Sequence, residues 1–177
     1  MTSVYRQVKS YISRVSVCLR RRRLLRHVSG GQGLHLEGKI DVMFPEKLVL
    51  GDHVHLGADC YINCQGGVEI GGHTIISRRV VIYSYDHNFK TPTALPYDDA
   101  VLDRPVHIGC YVWIGMGAVI APGTHIGDGA VIGMGTVVSG DIPDNAIVVG
   151  AKPRIIGYRN EEQTRGLAAA GCFYQGY

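Results

Sequence analysis

Aliphatic residues recur along most of the chain with a spacing of six, in four groups of three. The positions are Leu50, Leu56 and Ile62; Ile70, Ile76 and Ile82; Ile108, Ile114 and Ile120; and Ile126, Ile132 and Val138. Seven of these twelve residues are followed directly by glycine, and a small or β-branched side chain usually stands four positions after the aliphatic residue. A helix would repeat near 3.6 and a strand near 2, so a period of six indicates neither element alone.

This period predicts a mainly β solenoid in which short strands are joined by tight corners. Three hexads make an 18-residue coil of triangular section, and successive coils stack at the spacing of β-strands, about 4.8 Å. A single coil cannot bury its own apolar side, so stability depends on its stacked neighbours. The four groups, with a partial coil around Leu36 and Val42, predict a β-helix over residues 34–150.

Two interruptions break the repeat. The step from Ile62 to Ile70 is eight residues, which predicts a small bulge at residues 64–67. The step from Ile82 to Ile108 is 26 residues, which predicts a protruding loop over residues 83–105. Long loops in compact domains are usually functional or disordered, and a loop inside an otherwise regular repeat favours function.

The two ends of the chain lie outside the repeat. In residues 1–33, apolar positions at spacings of three and four predict a basic amphipathic helix; they are Val4, Val8, Tyr11, Val15 and Cys18. Its basic face could rest on anionic lipid, giving a peripheral membrane contact. Alternatively, the helix could cap the open first coil, which is the interpretation we favour. Residues 151–177 are predicted to form a separate C-terminal segment and tail.

Charge and cysteine content limit the class of protein. Residues 1–36 hold eight basic and no acidic side chains, whereas the rest of the chain is mildly acidic, so no nucleic-acid partner is expected. The five cysteines include no CxxC pair, which favours free thiols in a reducing compartment. No apolar run reaches 18 residues, and the N-terminal one is too short for a signal peptide and is followed by four arginines at residues 20–23. We therefore expect a cytoplasmic protein, with membrane association through the basic N-terminus as an open alternative.

Three stretches of the repeat carry a family resemblance. They are Val112-Trp113-Ile114-Gly115, then Val131-Ile132-Gly133-Met134-Gly135-Thr136-Val137-Val138, and Asp141-Ile142-Pro143-Asp144-Asn145 with Gly150. The chain resembles the hexapeptide-repeat acetyltransferases, nearest to the galactoside and maltose branch and to the capsular or colanic acid polysaccharide O-acetyltransferases. The resemblance implies a left-handed parallel β-helix, a homotrimer, and active sites in the clefts between subunits.

The same resemblance implies direct transfer of acetyl from acetyl-CoA to a hydroxyl of a sugar or polysaccharide acceptor. The catalytic histidine of the family matches His87, within Ser84-Tyr85-Asp86-His87 on the predicted loop. An imidazole, with an ordinary pKa of about 6.5, can accept the proton of an attacking hydroxyl at neutral pH. The oxyanion then needs a preorganised donor, for which a backbone N–H on a coil corner would serve.

The remaining site residues also come from the resemblance. Asn63 and Asp86 are expected to contact the acceptor, although Asp86 could instead orient the imidazole or close the loop by an Asx turn. Trp113 is expected near the acyl cleft, or packed between subunits. The expected coenzyme A contacts are Met116, Met134, Ser139, Gly140, Lys152 and Arg154. Two departures from the family pattern stand out: Gly140 replaces a lysine of the galactoside branch, and the proline of the segment after Gly150 is shifted by one position to Pro153.

Three alternatives remain open at this point. The acceptor could be an amino-sugar nucleotide or an antibiotic hydroxyl, since chemistry at His87 would hardly change. The scaffold could hold a metal, as in γ-class carbonic anhydrases, because His107 and His125 are one coil apart; however, no third histidine matches them, and no metal is expected. The chain could also be a non-catalytic trimeric scaffold, which the presence of the His87 loop argues against.

Overall fold

A computed structural model describes residues 26–90 and 93–150, together with residues 160, 162, 165, 166, 169 and 170. Its elements are, in chain order, β1 (Ser29–Gly30), β2 (His35–Leu36), β3 (Ile40–Met43), a 3-10 turn (Pro45–Lys47), β4 (Leu48–Leu50), β5 (His55–Leu56), β6 (Cys60–Asn63), β7 (Val68–Ile70), β8 (Ile75–Ile76), β9 (Val81–Tyr83), β10 (Tyr85–His87), β11 (Val101–Asp103), β12 (Val106–Ile108), β13 (Trp113–Ile114), β14 (Val119–Ile120), β15 (His125–Ile126), β16 (Val131–Ile132), β17 (Val137–Val138), β18 (Asp141–Ile142) and β19 (Ile147–Val148). All but β10 and β11 belong to the solenoid.

The solenoid strands form three parallel sheets. The first sheet has the order β1-β4-β7-β12-β15-β18, the second β2-β5-β8-β13-β16-β19, and the third β3-β6-β9-β14-β17. The chain visits the three sheets in turn, so each coil adds one strand to every sheet and the described residues make about six turns. The predicted parallel β-helix is confirmed, including the coil around Leu36 and Val42.

The predicted aliphatic columns form the core. All twelve positions of the repeat are at most 3% exposed, and the small residues that follow them are equally buried. The coils at both ends of the solenoid are less complete. The apolar side chains of the first coil, Leu34, Leu36, Ile40 and Val42, and those of the last, Ile142 and Val148, are partly buried. This pattern follows from stacking, since among the described residues an end coil has a neighbouring coil on one side only.

Close stacking at the corners explains the glycine that follows seven of the twelve aliphatic residues. A Cβ built on Gly71 would lie 2.5 Å from the carbonyl carbon of Gly109 on the next coil, where no side chain fits. Two positions after such a glycine the backbone turns with positive φ, between 57° and 59° at His53, His73 and Tyr111. Their rings stack along the solenoid, with centroids 4.9 Å apart for the histidine pair and 5.5 Å apart for His73 and Tyr111.

The protruding loop is a folded arm. Strands β10 and β11 pair antiparallel, with His87 opposite Val101, so the predicted loop over residues 83–105 contains a β-hairpin. The arm leaves the solenoid after β9 in the third sheet and returns at β12 in the first sheet. Despite this insertion the flanking coils remain in register, with Val81 opposite Val119.

The N-terminal boundary of the solenoid differs from the prediction. Strand β1 pairs with β4 and lies within residues 1–33, which were assigned to a helical segment, so the solenoid includes residue 29. Ser29–Gly30 carries no aliphatic side chain, so the aliphatic repeat gives no sign of this strand, although Gly30 pairs in register with Leu50. The residues predicted to form the amphipathic helix lie outside the described residues, as do Lys152 and Arg154.

No helix formed by the described residues combines the length and the hydropathy needed to cross a bilayer.

Two buried threonines at the corners give a testable contrast in stability. Within the described residues, Thr136 Oγ1 is buried without a hydrogen-bond partner, whereas Thr74 Oγ1 donates to the Gly109 carbonyl (2.8 Å) and accepts from the Val112 N–H (3.1 Å). Because an unpaired buried hydroxyl is destabilising, Thr136→Val should raise the free energy of unfolding by about 1 kcal/mol. Thr74→Val should lower it by about 1–3 kcal/mol, since it leaves a buried N–H unpaired. Denaturant titrations of both variants measure the difference, and equal effects of the two would contradict this assignment.

Candidate active site

A cavity lies where the arm meets the corner between the third and first sheets. It has a volume of about 580 Å³ and is lined by both strands of the arm and by the next coil, through Asp86, His87, Asn88, Phe89, Lys90, Leu102, Arg104, Ala121 and Pro122. The arm therefore places the predicted catalytic histidine in a recess of suitable size for part of a small substrate.

Neighbouring aromatic rings set the orientation of the His87 side chain. The Tyr97 ring stacks on the imidazole, with centroids 3.9 Å apart and an interplanar angle of 15°. The Tyr85 ring approaches edge-on at 5.5 Å. Within the described residues, neither ring nitrogen of His87 has a hydrogen-bond partner, so the ring is held by packing while its nitrogens stay available to a substrate proton.

Asp98 organises the part of the arm that carries Tyr97. Its carboxylate accepts hydrogen bonds from the backbone N–H of Thr93 and of Ala100, both at 3.0 Å, and from Asn88 Nδ2 at 2.9 Å. These donors stabilise the charged form, the Thr93 N–H most of all, and lower the pKa of Asp98 below its ordinary value. The resulting turn holds Tyr97 over the imidazole.

The charged groups of the cavity are two cations and one carboxylate. Lys90 and Arg104 line it together with Asp86. The Asp86 carboxylate accepts the backbone N–H of the next residue, His87, at 2.8 Å. An Asx turn needs the N–H two residues on, so this bond is not the Asx turn considered from the sequence. Its predicted contact with the acceptor stays a prediction. The cavity is thus suited to negative charge developing on a reacting oxygen.

The three corner residues beside His87, Ala121, Pro122 and Gly123, offer no spare backbone donor. The Ala121 N–H donates to the Val138 carbonyl (2.9 Å), the Gly123 N–H donates to the Arg104 carbonyl (3.0 Å), and Pro122 has no N–H. An oxyanion in this cavity would therefore be stabilised by a cationic side chain or by a group from outside this corner. The expectation of a corner N–H is not met by these three residues.

Asn63 lies at the end of β6 and is 5% exposed. Its Oδ1 accepts the Gln65 N–H at 3.1 Å, and its carbonyl accepts the Ser84 hydroxyl at 2.8 Å, so it closes the predicted bulge and ties it to the base of the arm. Asn63 does not contribute to the lining of the cavity formed by the described residues. Its predicted role toward the acceptor remains untested.

The other predicted ligand residues lie on two different edges of the solenoid. Ser139 and Gly140 lie on the same edge as the cavity, one coil beyond Pro122. Met116 and Met134 lie on the edge between the second and third sheets, 45% and 70% exposed, and their coils are joined by the bond from the Gly135 N–H to the Met116 carbonyl. Trp113, 55% exposed, is on the outer face of the second sheet, opposite the edge that carries His87. A single chain does not bring Trp113, Met116 or Met134 to His87.

The histidine pair considered as a metal site forms a ladder on the first sheet. His107 and His125 are in register, as predicted, with ring centroids 6.3 Å apart, and His107 Nδ1 lies 3.1 Å from Glu69 Oε2. The described residues bring no third histidine to this pair. A catalytic zinc with three protein ligands therefore has no complete ligand set here.

The cysteines of the described residues are free thiols. Cys60 and Cys64 are buried and Cys110 is half-buried. Burial raises the pKa of both buried thiols, that of Cys64 to about 12. Since the thiolate is the nucleophilic form, neither residue is suited to form an acyl-enzyme.

Sequence reasoning missed Tyr97, Lys90 and Arg104. All three lie in or next to the arm, and their positions depend on how the arm folds back on the solenoid. The fact that the arm interrupts a strict repeat was the one available signal, and it indicates the segment without indicating the residues.

Comparisons with known proteins agree with this architecture. Two family models match: the bacterial transferase hexapeptide model over residues 105–140, and the hexapeptide repeat of succinyl-transferase over residues 47–83. The crystal structure of a maltose O-acetyltransferase from Clostridium difficile 630 is 31% identical, covers 80% of this chain and 75% of its own, and superposes with a TM-score of 0.63.

Curated relatives match over most of the solenoid. Nodulation protein L of Rhizobium meliloti strain 1021 is 44% identical over 108 residues, which is 61% of this chain and 58% of that protein. A protein of Escherichia coli K12, named for O-acetyl transfer in lipopolysaccharide biosynthesis, is 32% identical over 143 residues, 76% of this chain and 70% of its own. The chain spans 42% and 58% of the length of the first two curated relatives it matches. On these repeats and matches, the chain belongs to the hexapeptide-repeat acetyltransferase family.

Proposed function

We propose that this chain transfers an acetyl group from acetyl-CoA directly to a hydroxyl of a sugar or polysaccharide, with His87 as general base. The observation that carries the proposal is the His87 ring in the cavity between the arm and the solenoid, stacked on Tyr97 and with both nitrogens free of hydrogen bonds to the described residues. The O-acetyltransferase names of the maltose enzyme and of the Escherichia coli relative support the class of reaction. The lipopolysaccharide relative favours a cell-surface glycan as the acceptor.

The proposed reaction needs acetyl-CoA, the acceptor hydroxyl and the His87 imidazole. A nitrogen of His87 accepts the proton of the acceptor hydroxyl while its oxygen attacks the thioester carbonyl. The C–S bond then breaks, the acetyl group stays on the acceptor oxygen, and the departing sulfur takes the proton from the imidazolium. Lys90 and Arg104 stabilise negative charge during the attack. The raised pKa values of the buried thiols agree with a direct transfer.

The site is proposed to be completed by a second protomer of a homotrimer. The second sheet and its neighbouring edge expose a set of large apolar side chains: Ile75, Trp113, Met116, Met134 and Ile147. An exposed apolar surface of this kind is typical of a protein interface. Packing it against the edge of another copy would bring Trp113, Met116 and Met134 toward that copy's His87, Ser139 and Gly140. Coenzyme A would then lie along the cleft, and we propose that Lys152 and Arg154 bind its phosphates.

The experiment is a thiol-release assay on the purified full chain with acetyl-CoA and a panel of sugars, sugar polymers and amino sugars. We expect release with at least one hydroxyl acceptor, and a mass of three chains by light scattering. Release with amine acceptors alone would instead favour N-acetylation. No release with any acceptor, or a monomer with full activity, would contradict the proposal.

A further inference from the structure

A second cluster of ligating side chains lies far from the arm, at the beginning of the solenoid. His35 in β2 and His55 in β5 are direct register partners, and both point outward because Leu36 and Leu56 in the same strands face the core. Glu37 follows β2, and its N–H is bonded to the Leu56 carbonyl at 2.9 Å. The backbone therefore fixes all three residues relative to one another.

The three side chains converge on one point. Glu37 Oε1 lies 3.3 Å from His55 Nε2 and 3.6 Å from His35 Nε2, and the three ligand atoms are all within 4.8 Å of one another. Around a tetrahedral zinc with bonds of about 2.0–2.1 Å, neighbouring ligand atoms are about 3.4 Å apart. Two of the three separations already fit this value, and the rings meet edge-on at 67°, which lets both Nε2 atoms approach a shared ion.

Other histidine pairs of the solenoid lack this arrangement. His53 and His73 stack face to face, and in the His107–His125 pair the nearby Glu69 reaches His107 alone. Among the described residues, only the cluster of His35, Glu37 and His55 brings three ligand atoms this close together. Two imidazoles and a carboxylate form a ligand set that zinc accepts.

We propose that His35, Glu37 and His55 bind one zinc ion that ties the first coil to the second. The first coil needs such a tie, because its apolar side chains are only partly buried while Leu56 and Ile62 of the second coil are fully buried. A metal that bridges β2 and β5 adds a cross-link at one end of the stack, where the apolar side chains are less completely buried. The cluster lies at the first-coil end of the second sheet and shares no residue with the His87 cavity, so we assign the zinc a structural role.

The test uses the untagged full-length protein, freed of metal with a chelator and then titrated with Zn²⁺. We expect one zinc per chain, a Tm that rises with zinc, and visible absorption bands of tetrahedral cobalt when Co²⁺ is used instead. Loss of an outer-shell partner alone weakens zinc sites about 10- to 100-fold, so His35→Gln and Glu37→Gln should each weaken binding at least about tenfold.

His125→Gln is the matched control, since it removes one member of a histidine pair that lacks a third ligand. It should keep the stoichiometry, the affinity and the zinc-dependent rise in Tm of the wild type. The proposal is overturned if wild type binds no zinc, or if His125→Gln weakens binding as much as His35→Gln does. The proposal is also overturned if the His35→Gln variant binds zinc as tightly as the wild type does.

Discussion

Replacing His87 with alanine is expected to lower the rate of acetyl transfer at least about a hundredfold, the lower end of general-base effects. The imidazole stacks on Tyr97 and lines the cavity, and its ring nitrogens have no partner among the described residues, so its loss removes the proton acceptor of the proposed reaction. The measurement is thiol release at saturating acetyl-CoA with the best acceptor found in the panel. Because His87 belongs to the arm and not to the buried core, the variant should fold normally.

His125→Ala is the matched control for this experiment. His125 is an exposed histidine on the outer face of the first sheet and does not line the His87 cavity. The control should retain the wild-type rate, and both variants should unfold at the wild-type temperature. If His87→Ala turned over acceptor as fast as His125→Ala, the general-base assignment would be wrong even though the fold would stand.

Truncating a core residue should destabilise the solenoid far more than truncating its neighbour on the outer face. Leu48 is fully buried and Val49, the next residue of the same strand, is 44% exposed. Leu48→Ala removes buried methyl groups and leaves a cavity between coils that pack on both sides, which costs about 2–5 kcal/mol. Val49→Ala loses some strand preference and little burial, so we expect less than about 1 kcal/mol. Chemical denaturation of both variants gives the two free energies of unfolding.

This pair also tests where the core lies. The outer face of the first sheet carries Glu69, His107 and Asp141 beside Val49, so it is polar and distinct from the apolar surface proposed as the subunit interface. An effect of Val49→Ala as large as that of Leu48→Ala would mean that this face is buried in the native assembly. The proposed arrangement of subunits would then have to be replaced.

The architecture could be predicted because the repeat encodes it locally. Each coil repeats the inward aliphatic residues, and in seven of the twelve hexads a glycine follows where the next coil leaves no room for a Cβ, as at Gly71 against Gly109. The twelve aliphatic positions spaced by six therefore predict the three inward columns from the sequence alone. The first strand was missed because Ser29–Gly30 carries no aliphatic side chain, and its pairing with β4 is made by the backbone alone.

The contacts within the arm and the proposed zinc site of His35, Glu37 and His55 could not be predicted from the repeat. The Tyr97 ring reaches His87 through a turn held by Asp98, a set of contacts specific to one segment with no repeat to reveal it. His35 and His55 are 20 residues apart, whereas His107 and His125 are 18 apart. The 3-10 turn at Pro45–Lys47 lengthens the coil between His35 and His55. The regular period of 18 residues therefore relates His107 to His125 but does not relate His35 to His55.

The way in which the arm is inserted has a consequence for how such proteins diversify. The coils before and after it pair as if nothing intervened, with Val68 opposite Val106, Ile76 opposite Ile114 and Ile82 opposite Ile120. Substitutions and exchanges beyond the base of the arm, where Ser84 and Arg104 bond to the solenoid, should therefore leave the neighbouring ladders intact. Transplanting the arm of one relative onto the frame of another is consequently a practical route to new acceptor preferences, and natural selection has the same route available.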